Sequence, residues 1–151
     1  MADNDNATVS DGGGNGAIEE RLRRLAGRDN FNSSLGIEFV EGGVGRAVVR
    51  LKVAQPHLNF YGFCHGGVIF SLADAAFGLA NNSRESVSVA IDAHITFANP
   101  VREGDVLTAT ATEITARRSI GTYRIEVTLA DGTPISSFSG TAYNTGKPIP
   151  E

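Results

Sequence analysis

One long helical segment, followed by strand-like segments and no second helix, is the feature that most limits what this chain can fold into. Residues 68–82, VIFSLADAAFGLANN, are rich in Ala and Leu and apolar almost all round, and Asn81, Asn82 and Ser83 supply a stop. A helix apolar on every side has to be enclosed by the rest of its domain. Beyond it, residues 87–97 alternate, which predicts a strand with Val89, Ile91, Ala93, Ile95 and Phe97 on one face. Residues 106–115, 123–129 and 135–143 follow, set apart by Gly104-Asp105, Gly121 and Asp131-Gly132. That is the turn chemistry of an antiparallel meander. Ahead of the helix, residues 35–41 and 44–53 flank Gly42-Gly43 and predict a hairpin, and residues 55–67 read as loop. One helix and about six strands in the order β-β-α-β-β-β-β predict α+β architecture, an antiparallel sheet wrapped around the helix.

The chain of 151 residues fits one domain and can bury a substantial core. Residues 1–16 are rich in Asn, Asp and Gly and predict a flexible acidic tail, since they bury too little apolar surface to offset ordering. The folded domain is expected over residues 17–146, with a short tail at 147–151. Ile18, Leu22 and Leu25 have the spacing of a short amphipathic helix that ends at Asn32, Ser33 and Ser34. Its Arg21, Arg23, Arg24 and Arg28 are read as a solvated face. A net charge of −4 argues against a nucleic-acid binder. The single cysteine, Cys64, excludes an intrachain disulfide framework and fits a reducing compartment. No apolar run is long enough to span a bilayer and the start lacks a secretory pattern, so the expected location is cytoplasmic, with no membrane partner.

Chemistry concentrates in residues 59–78, NFYGFCHGGVIFSLADAAFG. Gly66 and Gly67 fall in the first turn of the predicted helix, where amides have no intrahelical acceptor and the dipole is positive. Glycine also lets a ligand approach the backbone closely, so this end suits a backbone oxyanion hole. Asp74 is the only charge in the apolar helix. If enclosed, it would be desolvated and its basicity raised, which suits a general base or nucleophile. The alternative is that Asp74 lies on an exposed stripe or pairs with an arginine. Asn59, in the preceding loop, has the chemistry to hold a water or a carbonyl, although loop asparagines more often support turns.

The segment resembles the phenylacetic-acid-degradation thioesterases of the hotdog superfamily. The resemblance rests on HGG followed by an apolar helix with Asp eight residues after the first Gly, on CHGGVIFSLADAAFGLANNS as a block, and on Phe97 and Pro100 in FANPVREGDVLTATA. It runs over residues 35–143. It implies a hotdog fold and acyl-CoA thioester hydrolysis, with (hydroxy)phenylacetyl or medium-chain acyl groups as substrates. It assigns Gly66 N–H to the thioester carbonyl, Asp74 to the base or nucleophile, Asn59 to positioning, and His65 to the histidine beside the glycine pair. It also implies a homo-oligomer, a dimer of dimers, in which Gly66 and Asp74 meet from different subunits. No cofactor is expected, CoA being part of the substrate.

His65 is read as either an acid–base group or, preferably, a loop anchor. A Cys64–His65 nucleophile is disfavoured because adjacent side chains point apart. Ser71, Asp92 and His94 lack the GxSxG elbow of a triad. His57, His65 and His94 show no metal-ligand spacing, so no metal site is expected. Among the basic residues near turns (Arg102, Arg117, Arg118 and Lys147), the Arg117-Arg118 pair is the candidate for CoA phosphates. Two other functions compete: an acyl-CoA-binding module without turnover, and a hotdog hydratase or dehydratase, which would need a paired catalytic His and an HFPG-type segment that is absent.

Overall fold

The computed structural model describes residues 12–150. Six antiparallel strands form one sheet in the order β1-β2-β4-β5-β6-β3, and the long helix packs on its face. The strands are β1 (Glu38–Gly43), β2 (Arg46–Lys52), β3 (Ser86–Phe97), β4 (Val106–Ala116), β5 (Ile120–Leu129) and β6 (Pro134–Pro148); the helices are α1 (Gly12–Gly27), α2 (Asn30–Leu35) and α3 (Gly66–Asn81). This is the α+β hotdog arrangement expected from the order of the elements. Between α3 and the inner face of the sheet lies the core, where Leu72, Phe77, Leu107, Ile125 and Phe138 are fully buried. No helix among the described residues is long and apolar enough to cross a membrane.

Several boundaries differ from expectation for identifiable reasons. Helix α1 opens at Gly12, so it takes in the last five residues of the segment expected as a tail, while residues 1–11 lie outside the described residues. The arginines of α1 are only partly a solvated face. Arg21 donates to the Ser83 carbonyl, and the Arg23 guanidinium lies 5.1 Å from the Phe39 ring centroid while pairing with Glu19. Asn32, Ser33 and Ser34, expected to interrupt helical structure, lie within α2, which also takes in Leu35, expected to open the first strand. Asp29 caps its N-terminus by accepting from Asn32 N–H at 2.9 Å, and Gly36 closes it in the left-handed conformation (φ 78°). A good cap at each end stabilises six residues that propensity alone would not. Strand β5 starts at Ile120 and β6 runs on to Pro148, past the expected ends at 123 and 143.

Strand β3 departs most from the sequence pattern. It pairs with β6 along its whole length, but the register shifts between Ala90 and Asp92. Phe97, Ile95 and Ala93 face Ser136, Phe138 and Gly140, on the core side of β6. Past the bulge Val89 faces Tyr143, on the outer side. The unbroken alternation expected from residue 89 to 97 is therefore split, because one extra residue swaps the faces. Within this chain β3 is also an edge strand, most of it exposed, with Val89, Ile91 and Phe97 open to solvent.

Candidate active site

The head of α3 is held by the loop before it. Leu58 and Cys64 form an isolated antiparallel bridge, and Cys64 N–H donates to the Val101 carbonyl at 2.8 Å. His65 N–H donates to the His57 carbonyl at 2.8 Å. Inside the loop, Asn59 Oδ1 accepts from Tyr61 N–H at 2.9 Å and from Phe63 N–H at 3.2 Å. The turn-supporting role is thus the one its carbonyl plays, and the Nδ2 amide is left to donate elsewhere.

His65 is the N-cap of α3. Its Nδ1 accepts from Gly67 N–H at 2.8 Å, and its carbonyl accepts from Val68 and Ile69 N–H. Through this accepting Nδ1 the imidazole anchors the head of the helix, the loop-fixing role preferred for it. A Cβ on Gly67 would lie 3.0 Å from that Nδ1, so the cap needs glycine there. Gly66 is the first residue of the helix, and among the described residues no acceptor meets its N–H. One donor at the positive end of a 16-residue helix is therefore left to point at a ligand. The Phe97 ring packs against this glycine; a Cβ at Gly66 would lie 3.3 Å from it.

Asp74 is not enclosed as the apolar helix suggested. Helix α3 buries ten residues against the sheet but leaves a stripe through Gly67, Ser71, Asp74 and Gly78 uncovered, and Asp74 is exposed on it. The exposed-stripe alternative is the one this chain adopts. Apolarity all round misled because alanine and glycine are tolerated on either face. The stripe is nonetheless not open surface. Asp74 lines a pocket of about 360 Å³ whose other walls include Leu25, Phe31, Phe39, Leu79 and Ile149. Desolvation by these walls raises the Asp74 carboxyl above the ordinary aspartate value, and the Asp29 carboxylate, lining the same pocket, raises it further. A carboxylate held in this way is a better base than a free one.

Within one chain these groups do not converge. Eight residues of α-helix separate Gly66 from Asp74, roughly 12 Å along the axis. Arg117 and Arg118 lie farther still from Gly66, exposed in a groove of about 200 Å³ beside Asn81, at the opposite end of α3. Cys64 is buried, which pushes its thiol up to about 11 and leaves it protonated and inert. His57 is also buried, its Nδ1 accepting from Ala54 N–H at 3.0 Å. Asp92 and His94 stand opposite Thr141 and Ser139 on β6, away from the helix that carries Ser71. Two features went unmarked at the level of sequence. One is Asp29 in the pocket, legible only as a helix cap. The other is a network in which Arg84 pairs with Glu113 and Tyr123 Oη donates to Glu113 Oε2 at 3.0 Å.

A free amide at a helix head and a desolvated carboxylate on the same helix, set on a hotdog sheet, fit the class of hydrolases that act on activated carbonyls. Comparison with known proteins narrows the class. The thioesterase superfamily model matches residues 61–136. The acyl-coenzyme A thioesterase PaaI of Escherichia coli is 38% identical over 121 residues, spanning 80% of this chain and 86% of that protein. The structure of E. coli PaaI, from the phenylacetic acid degradation operon, superposes with a TM-score of 0.84 at 34% identity, covering 87% of this chain and 95% of that one. A Streptococcus mutans protein solved bound to acetyl CoA superposes with a TM-score of 0.71 at 27% identity, covering 75% and 91%. The chain belongs to the thioesterase superfamily and is a thioester hydrolase.

Proposed function

We propose that the chain hydrolyses acyl-CoA thioesters, with a phenylacetyl, hydroxyphenylacetyl or medium-chain acyl group, in the cytoplasm. The observation that carries this is the unpaired Gly66 amide together with Asp74 in an apolar-walled pocket. An aromatic or alkyl acyl group fits walls of Leu25, Phe31 and Phe39. The similarity to PaaI and to a protein bound to acetyl CoA supports the CoA portion.

The site is completed by a second copy. Strand β3, 12 residues long, has one edge that no other strand of the sheet pairs with, and Val89, Ile91 and Phe97 are exposed on it beside Tyr143. A second β3 pairing with it antiparallel brings the Phe97 end of one copy toward the Ser86 end of the other. Phe97 packs on Gly66; near the other end, Ser88 exchanges hydrogen bonds with Asn82, which lines the Asp74 pocket. Gly66 of one copy thereby approaches Asp74 of the other. Two such pairs assemble as a dimer of dimers.

In the reaction the Gly66 amide receives the thioester carbonyl oxygen. Asp74 takes a proton from water as the water oxygen bonds to the carbonyl carbon, and the negative charge moves onto the oxygen held at the helix head. Collapse breaks the C–S bond, and the proton passes from Asp74 to the departing thiolate. Direct attack by Asp74, through an anhydride that water then opens, uses the same atoms. Asn59 Nδ2 helps hold the carbonyl or the water, and His65 keeps the helix head in place. Arg117 and Arg118 take CoA phosphates.

A panel of acyl-CoA thioesters assayed with a thiol-trapping reagent tests this. Turnover is expected, greatest with aromatic or medium acyl groups, and Asp74→Asn is expected to lower kcat by roughly a hundredfold or more. Binding of every acyl-CoA without turnover would instead make the protein an acyl-CoA-binding module.

A further inference from the structure

We propose that Asp29 is a positioning residue for the chemistry of Asp74: its carboxylate, fixed at the head of α2 in the wall of the same pocket, sets the pH at which Asp74 changes between its acid and base forms. The inference rests on the reading of Asp74 as the base of a thioester hydrolase.

The geometry is specific. Asp29 and Asp74 line one pocket of about 360 Å³, approaching from different elements. Asp29 is not free to turn away. Its Oδ1 accepts from Asn32 N–H at 2.9 Å and its Oδ2 from Asn32 Nδ2 at 2.6 Å, so both oxygens are tied to the first turn of α2. Among the described residues, no other that lines the pocket is ionisable. The walls from α1, β1 and β2 are Leu25, Phe39 and Val49, the C-terminal segment adds Ile149, and Asn32 and Asn82 are uncharged. Helix α3 carries no charge besides Asp74. In the completed site the second copy adds His65, next to its Gly66. A negative charge fixed across the pocket disfavours a second one on Asp74 and so makes Asp74 a stronger base. Two carboxylates kept in unequal hydrogen-bonding environments is how proteins divide an anchor from a proton acceptor.

The cap and the charge can be separated, because Asn and Ser cap helices about as well as Asp while carrying no charge. Asp29→Asn and Asp29→Ser in the full-length protein are compared with wild type by the pH dependence of kcat/KM toward phenylacetyl-CoA. Both variants are expected to move the acid limb to lower pH. Their plateau rates should stay within about threefold of wild type, the small loss reflecting a weaker base. Asp29→Ala loses the cap and should lower Tm, which the other two should not. His65 is the same in all the enzymes, so the difference between them belongs to Asp29. An acid limb that stays in place in folded, active Asp29→Asn and Asp29→Ser overturns the inference while leaving the thioesterase reading standing. If wild type turns over no acyl-CoA, that reading fails instead, and carbon-13 titration of the Asp74 carboxyl in wild type and Asp29→Asn still decides the electrostatic claim: equal midpoints refute it.

Discussion

Asp74 shows how a residue can be singled out for a reason that the structure only half bears out. The sequence marks it because a lone charge in an apolar helix breaks the local pattern. The structure shows it on an uncovered stripe, desolvated by a pocket instead of by the core. A carboxyl whose folded value is raised contributes stability below its unfolded value, and that contribution is lost as pH rises through the folded one. At neutral pH the ionised Asp74 therefore works against folding. Asp74→Asn is expected to raise Tm at about pH 7 even as it removes activity, and the gain should vanish in acid, where wild type is protonated. Calorimetry across that range would count against the pocket's desolvating role if Tm at neutral pH fell. Gly140 makes a second case. A Cβ there would lie 2.7 Å from the buried Phe77 ring. Gly140→Ala should destabilise by about 1–3 kcal/mol through overpacking, read as a lowered midpoint in urea. Its place inside the strand expected over residues 135–143 sets this glycine apart from the turn glycines, but its demand comes from a ring 63 positions away, which the sequence does not show.

At the scale of elements, the strongly periodic segments were legible and the short or edge ones less so. Helix α3 and strands β2 and β4 fall within a residue or two of their expected bounds because their patterns run long enough to average out exceptions. Helix α2 escaped notice because Asn32, Ser33 and Ser34 are poor helix formers, and only Asp29 and Gly36 at its ends signal it. The bulge in β3 escaped because alternation in one strand carries no record of its partner's register. What β3 does with its exposed edge is open to direct test. Ile91→Lys puts a charge at the bulge on a side chain 57% exposed in the single chain, where it should leave the fold intact but block edge pairing. Sedimentation should then show monomer with native circular dichroism, and turnover should be lost. A fully active monomer would contradict a site shared between copies.

For the whole molecule, the question is which residues of the site belong to which copy. The sequence singles out Gly66 and Asp74 as a pair of candidates; that one helix cannot bring them together follows from its rise per residue, which separates them by roughly 12 Å. Mixed oligomers can demonstrate the consequence. Gly66→Pro removes the N–H at a helix position where proline is tolerated, and Asp74→Asn removes the base. Each alone should be nearly inactive. Unfolded together in equal amounts and refolded, they should recover about a quarter of wild-type turnover, since half the pairs are mixed and one of the two sites in each is whole. No recovery, with mixed oligomers shown to form, would place both groups in one subunit.

The bare rim of β3 also bears on the life of the newly made chain. Past Ser88, which Asn82 satisfies, the outer margin of β3 in a solitary copy turns backbone donors and acceptors to water, bordered by greasy side chains. Such a margin invites any passing strand. Association with its twin would thus act as protection as well as assembly, and resistance to unfolding should climb with protein concentration. Dilution would threaten this molecule as surely as warmth does.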